Sequence, residues 1–263
     1  MSEKELASVR SFWQRRESRA GRRSRYVEVR EVSLETVRAD AVENGLVDDV
    51  VAVLGTGKEA NVYVGLWKGS PLALKVYRLH STPHKKKSTI GYAQDRMGAI
   101  AAREFTVLLK AYRAGVPVPT PARRVDNMFT MRFLGDGQAA PLLKDSLLEN
   151  PQGVATQALS LVRKLFDACI VHGDLSEYNL VYWQGQLFVI DFPQAIDFSA
   201  RVDRHTRLKE AGQLLLRDLR NLECYFAKYG VEMDSENEYS TLMSRHGHQS
   251  DLENGLEELR TTA

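Results

Sequence analysis

The chain reads His172-Gly173-Asp174-Leu175-Ser176-Glu177-Tyr178-Asn179 and, ten residues on, Val189-Ile190-Asp191-Phe192. Two polar residues five positions apart in a loop, then an aspartate closing an apolar strand, bring two carboxylates and an amide to one pocket. Phosphoryl transfer needs that set: a base to accept or orient the attacking hydroxyl, and oxygen ligands for Mg2+ bridging the phosphates. Asp174 is the candidate base, and Asn179 and Asp191 are the candidate metal ligands. An aspartate at the end of VIDF could instead cap a helix. The joint occurrence in this order, with spacers that fit intervening strands, favours the first reading.

Upstream stands Gly55-Thr56-Gly57-Lys58-Glu59-Ala60-Asn61-Val62. A Walker A loop would need glycine at Ala52 and a hydroxyl at Glu59. A dinucleotide-binding turn would lead into a helix, whereas NVYVGLW leads into a strand. What remains is a strand-turn-strand loop whose small residues let backbone amides approach phosphates. Lys75 follows mid-strand in LALKV, on the same face as Ala73, where it can neutralise α and β phosphates. Glu104 on the next helix is the carboxylate available to hold it. Taken singly, an edge lysine and a solvated helix glutamate are the ordinary readings of these two residues.

Around these motifs the hydrophobic period changes several times. Ser33 caps a helix with Leu34, Val37, Ala41 and Val42 at helical spacing, closed by Asn44-Gly45. DDVVAVLG, NVYVGLW and PLALKVY read as an antiparallel meander. A helix over about 97–113 carries Ala101, Phe105, Leu108 and Tyr112 on one face. Prolines 117, 119 and 121 enforce an extended connection, and NMFTMRFLG is one more strand. Asn150-Pro151 opens a helix through Val154, Ala158, Leu161 and Leu165. Short strands run from CIVHGDL to LFVIDF with Gln184-Gly185 as a hairpin turn, and residues from about 206 to 229 are helical. Strands first and helices later describe an α+β chain with two lobes, a small antiparallel-sheet N-lobe and a mostly helical C-lobe. The expected boundaries are a basic arm over 1–30, an N-lobe over 31–134, a C-lobe over 135–230 and a tail over 231–263.

Of 263 residues 43% are hydrophobic and 27% charged, which excludes a chain that is disordered throughout. The two cysteines, Cys169 and Cys224, have neither the number nor the spacing of a zinc or redox site, and Cys169 reads as part of a core strand. A reducing, cytoplasmic compartment is expected. No apolar run reaches the roughly 18 residues of a membrane span, and the first thirty residues lack a signal-peptide core. The formal net charge of +2 conceals an asymmetry, because the first thirty residues carry +5 and the other 233 carry −3. The segment RSFWQRRESRAGRRSR is either a solvated tail or an arm for phosphate-rich RNA or an acidic partner, with Phe12 and Trp13 available to stack. His246-Gly247-His248 has no third ligand nearby and reads as solvated.

TGKEANVY, the LALKV lysine, REF, MRFLG, APLLKD, VHGDLSEYNLVY, VIDFPQ and LLRDLRN resemble, in this order, the RIO family of atypical serine/threonine protein kinases. The likeness is to the RIO1 and RIO3 type, which lacks an N-terminal winged helix, and it covers about residues 33–230. It implies an ATP- and Mg2+-dependent kinase, with Mn2+ able to replace Mg2+, in the two-lobed kinase-like fold. It further implies that Gly55, Thr56, Gly57, Lys58, Glu59, Ala60 and Val62 cover ATP, that Lys75 contacts its phosphates and pairs with Glu104, and that Met131, Phe133 and Leu134 belong to the adenine-binding hinge. Asp174 is then the catalytic residue, and Asn179 and Asp191 hold metal. Ala60 replaces the third lid glycine, and Pro193 stands where a glycine usually follows DF. The basic segment LHSTPHKKKSTIGYAQD holds Ser81, Thr82, Ser88 and Thr89 as candidate autophosphorylation sites.

Two rivals accompany this reading. HGDL followed by N and IDF also suits a small-molecule phosphotransferase of the aminoglycoside or choline kinase type, although GKEANVY and SEYN argue against it. An ATP-hydrolysing switch on a ribosomal or other ribonucleoprotein particle, contacted through the Arg-rich arm, is the other. The protein substrate is not specified by the sequence.

Overall fold

The computed structural model describes residues 33–57, 59–77, 90–199 and 204–245. Cα packing divides them into two compact units, one reaching to Tyr112 and including Val118–Ala140, the other comprising Arg113–Pro117 and the chain from Pro141 onward.

In the first unit α1 spans Leu34–Glu43, and the Ser33 side chain accepts from the backbone amide of Thr36 as the expected N-cap. Val37 and Ala41 are buried, whereas Val42, expected on that apolar face, is exposed. The face is therefore narrower than the four-residue pattern implied. Strands β1 (Asp49–Thr56), β2 (Ala60–Trp67) and β3 (Ser70–Tyr77) form the antiparallel meander, with Val62 opposite Lys75 and Val64 opposite Ala73. After α2 (Ile90–Arg113) come β4 (Pro121–Val125) and β5 (Met128–Arg132), giving the order β1-β2-β3-β5-β4. The proline-rich connector thus ends in a strand that the periodicity did not reveal. Pro121 can open it because β4 lies at the sheet edge, where a missing N–H breaks no ladder. The small pair β6 (Gly135–Asp136) and β7 (Gln138–Ala139) follows. Gly135 has φ +146°, and a Cβ there would sit 1.9 Å from the Gln138 carbonyl oxygen, so only glycine fits this turn.

One face of the five-stranded sheet packs on α1 through Val37, Ala41, Leu46, Val50, Tyr63, Leu74 and Val76. The other carries Ala52, Val64 and Phe133. Val50 and Ala52 would share a face in a regular strand, but a register shift between them sends their side chains to opposite sides.

In the second unit a 3-10 turn (Leu143–Asp145) precedes α3 (Pro151–Asp167), and Asn150 caps that helix by accepting from Gly153 N at 2.9 Å. β8 (Ile170–Val171) pairs with β11 (Ile196–Asp197), and β9 (Leu180–Trp183) pairs with β10 (Gln186–Val189) across the Gln184-Gly185 turn. Cys169 is not in the expected strand. It occupies the turn after α3 with φ +57°, a conformation that ends the helix and redirects the chain into β8. α4 (Arg204–Ala227) runs through the core with Leu215, Leu219, Leu222 and Phe226 buried. A last helix, α5 over residues 235–245, is tied to α3 by the Arg163–Glu238 pair, in which Nε and Nη2 donate at 2.7 and 2.6 Å. Ser235 Oγ, at the start of α5, donates to Glu223 on α4 at 2.8 Å. Among the described residues no helix is long and apolar enough to cross a membrane.

Candidate active site

Strand alternation puts Lys75 and Tyr77 on the β3 face opposite the α1 cluster. From α2, Ala101, Glu104, Val107, Leu108 and Ala111 are buried, a helical stripe displaced from the expected one. Tyr112 is exposed, and Phe105 is half-buried against Phe129 at 5.6 Å. The shift is what brings Glu104 inward. Lys75 Nζ donates to Glu104 Oε1 at 2.6 Å, and Tyr77 Oη donates to Glu104 Oε2. Lys75 and Glu104 retain only 5% and 2% of their exposure, so the ordinary readings of an edge lysine and a solvated glutamate both fail. Charges this deep persist only when paired. Lys75 Nζ also stands 5.3 Å from the Tyr77 ring and 6.0 Å from the Phe129 ring.

Gly55 and Thr56 end β1, and the turn beyond them is closed by Gly57 N donating to Ala60 O at 2.9 Å. Glu59 is exposed, Ala60 is buried, and Val62 is half-buried beside Lys75. Phe133 and Leu134 are buried, and Met131 pairs with Ala73. Lys58, Ser81, Thr82, Ser88, Thr89, the arm over 1–30 and His246-Gly247-His248 lie outside the described residues.

The second unit gathers the other candidates. Asn179 Nδ2 donates to Asp174 O at 2.8 Å and reaches Asp174 Oδ2 at 3.3 Å, which closes the loop between them. Ile190 N donates to the backbone carbonyl of Asn179 at 3.0 Å, which ties the backbone just before Asp191 to Asn179. Asp174 and Asp191 are exposed while the residues beside them, Leu175 and Phe192, are buried. Asp191 has φ +70°, a backbone region uncommon for a residue with a side chain. His172 anchors the start of the loop: its Nε2 lies 3.1 Å from Ile190 O, and its ring lies 4.9 Å from that of Phe192. Asp174 N donates to His172 Nδ1 at 3.3 Å, which assigns the Nε2–H tautomer.

The RIO domain matches residues 61–239. The chain is 32% identical to the RIO-type serine/threonine-protein kinase Rio1 of Haloferax volcanii, an alignment covering 80% of this chain and 74% of that one. It is 30% identical to the serine/threonine-protein kinase RIO1 of Chaetomium thermophilum, over 74% of this chain and 42% of its relative. The chain belongs to the RIO family of serine/threonine-protein kinases. A solved structure of the same fold is the Rio2 kinase from Chaetomium thermophilum in an ADP/Mg2+-phosphoaspartate complex, with TM-score 0.60, 18% identity, and coverage of 95% of this chain and 85% of that one. The fold is accordingly the two-lobed, kinase-like α+β fold.

Sequence reasoning missed what holds the RIO loop. Asp218 on α4 accepts from Gly173 N at 2.8 Å and from Leu175 N at 2.9 Å, the amides on either side of Asp174. Arg217 Nη2 donates to Gly173 O, and Asn221 Nδ2 donates to Leu175 O at 3.1 Å. A signal existed: Asp218 sits between Leu215, Leu219 and Leu222, an acid within an apolar helical stripe. Burial pushes its carboxyl from the ordinary 3.8 up to about 7, outweighing the two amides and Arg217, which act to lower it.

The donor set suits a hard cation. Asn179 and Asp191 offer only oxygens once the Asn179 amide nitrogen is turned to Asp174. Among the described residues no three carboxylate, imidazole or thiol groups converge on a cation. A Mg2+ ion held by these two would take its remaining ligands from phosphate and water, its usual preference.

The depth of Glu104 changes what Lys75→Met does. Sequence alone suggests lost activity without unfolding, but removing the lysine strands a buried carboxylate. Lys75→Met is expected to destabilise by about 3 to 5 kcal/mol, and Lys75→Met/Glu104→Gln to regain most of it. Urea titration checks this, and equal stability of wild type and Lys75→Met would refute it.

Asp218 makes stability pH-dependent with a definite sign. The folded form keeps its proton to about pH 7, while the unfolded chain releases it near 4. The contribution is thus complete below about 4 and is lost as pH rises through about 7. The stability difference between wild type and Asp218→Asn should fall across that window and level off above it. Thermal melts from pH 4 to 8 read it, and a flat difference counts against the buried acid.

Proposed function

We propose that the chain transfers the γ-phosphate of ATP to a serine or threonine hydroxyl of a protein, its own hydroxyls included, in a Mg2+-dependent reaction. The observation that carries this reading is the closure of Asp174 on Asn179, with the backbone just before Asp191 tied to Asn179 by the Ile190–Asn179 hydrogen bond. Asp174 orients the attacking hydroxyl and takes its proton as the bond to phosphorus forms. Asn179 and Asp191 hold the metal through oxygen, and Lys75, fixed by Glu104 and Tyr77, neutralises phosphate charge. The Gly55–Val62 turn covers the phosphates with backbone amides, and Met131, Phe133 and Leu134 meet the base. Bound Mg2+ supplies charge neutralisation on the phosphate oxygens. The two cysteines are free thiols, which supports a cytoplasmic setting.

ATP hydrolysis as the output is supported by the ADP/Mg2+-phosphoaspartate complex of the Rio2 neighbour, in which an aspartate carries the phosphoryl group. A small-molecule acceptor has no observation in its favour.

Asp174→Asn should retain nucleotide affinity and lose phosphoryl transfer by about 10²- to 10⁴-fold. Asp191→Asn should weaken Mg2+-dependent nucleotide binding. Nucleotide titrations and γ-labelled ATP with mass-spectrometric mapping separate the two, and equal loss of affinity with retained turnover would reject the assignment. Label released only as inorganic phosphate identifies the hydrolytic output.

The Arg-rich arm is the proposed contact for RNA or a ribosomal particle, on the strength of its eight arginines against Glu17 and Glu28 over residues 10–30. Deleting residues 1–30 should spare autophosphorylation. It should lower RNA affinity and flatten its salt dependence by about 0.7 to 0.9 in log–log slope for each RNA phosphate that the arm neutralises. Identical slopes for full-length and truncated chains would leave the arm a solvated tail.

A further inference from the structure

Six large apolar side chains are exposed among the described residues, and three of them, Leu147, Tyr178 and Tyr229, lie in one neighbourhood of the second unit. Lys144 N donates to Glu177 O at 3.2 Å, laying the 143–147 turn alongside the loop that carries Asp174. Lys144 Nζ stands 5.4 Å over the Tyr178 ring. Tyr225 Oη donates to Leu143 O at 2.9 Å, and its ring lies 5.5 Å from that of Tyr229. Leu147 is 91% exposed and Tyr178 60%. Three large apolar or tyrosyl side chains left exposed on neighbouring turns form the kind of surface on which a partner chain docks.

Position and charge identify the occupant. Tyr178 is the chain neighbour of Asn179, which bonds Asp174. An extended peptide advances about 3.3 Å per residue, so a chain whose hydroxyl meets Asp174 needs only a few further residues to span the distance from Asn179 to the adjoining 143–147 turn. Lys144 is balanced by Asp145 at 2.8 Å and Lys228 by Glu177 at 3.6 Å. The patch therefore lacks the uncompensated positive charge that nucleic acid requires. It suits an apolar side chain.

Resting on the kinase reading above, we propose that Leu147, Tyr178 and Tyr229 form the docking surface for the phosphoacceptor, an extended protein segment with a large apolar side chain about two to four positions from the phosphorylated serine or threonine. Aromatic faces accept leucine, methionine or phenylalanine without demanding one shape, so the selection is for bulk and apolarity.

The test is a positional-scanning library of serine-centred peptides, phosphorylated by the full-length protein with Mg2+ and ATP. Leucine, isoleucine, methionine or phenylalanine should be selected over glycine by about tenfold at one or two positions within that range. Leu147→Asp should abolish the selection while leaving nucleotide affinity unchanged. Lys144→Glu, which leaves two acids beside Tyr178, should add a preference for lysine or arginine at the same position. Phosphorylation without apolar selection, or selection that persists undiminished in Leu147→Asp, overturns the surface and leaves the kinase reading intact. Absence of phosphate transfer to any peptide and to the chain itself overturns both.

Discussion

The loop that presents Asp174 rests on one buried acid, Asp218 on α4. Asp218 accepts the amides of Gly173 and Leu175, which flank Asp174, while the Asp174 side chain between them is exposed. Gly173 has φ +78°, and a Cβ there would approach the Gln194 carbonyl to 2.8 Å. The loop is therefore pressed against the 194 segment on one side and bonded to α4 on the other. The arrangement separates two demands that conflict in a single residue. The role proposed for Asp174 needs an accessible side chain on a rigid backbone, and the loop leaves the side chain at the surface while rigidity is built underneath.

The first unit meets the same conflict with opposite charges. Lys75 and Glu104 satisfy each other in a low-dielectric environment, with Tyr77 on the second carboxylate oxygen. Each oxygen of Glu104 thus has its own donor, which fixes the plane of the carboxylate and with it the direction from which Lys75 approaches. Asp218, by contrast, is held by neutral amides, and the charge of Arg217, whose guanidinium bonds the Gly173 carbonyl and not the acid, only partly offsets the cost of burying it. That difference explains why burial lifts Asp218 to about 7 even though it accepts two amide hydrogen bonds.

Local signals in the sequence carried the parts of this fold that depend on local chemistry. Ser33 and Asn150 cap helices because a short polar side chain before an apolar period has little else to do, and Gln184-Gly185 turns a hairpin because both residues adopt positive φ there. The faces were less legible. The shift between Val50 and Ala52 inverts β1, the α2 stripe runs through Glu104 and not Phe105, and β4 is concealed by prolines that only an edge strand tolerates. In each case the deciding partner lies far along the chain: Gly65 and Val64 for β1, Lys75 and Tyr77 for α2, β5 for β4. Asp174, Asn179 and Asp191 stand out because phosphoryl-transfer chemistry restricts their type, whereas Asp218, although it stands in LLRDLRN, is given no role by type or spacing alone and is one acid among 34 acidic residues.

That asymmetry extends to the surface around Asp174. The residues around the loop are recognisable by what they bond: the buried His172 to Ile190, the half-buried Asn221 to Leu175, and the buried Tyr225 to Leu143 on the neighbouring turn. Leu147 follows the 143–145 turn and Tyr178 lies in the Asp174 loop, both exposed. Tyr225 marks the boundary, with its hydroxyl in the fold and its ring against the half-exposed Tyr229. The exposure of Leu147 and Tyr178 sets them apart from the side chains around the loop that hydrogen bonds tie into the fold. On the docking proposal, the partner that meets Leu147 and Tyr178 is the chain that brings the hydroxyl to Asp174.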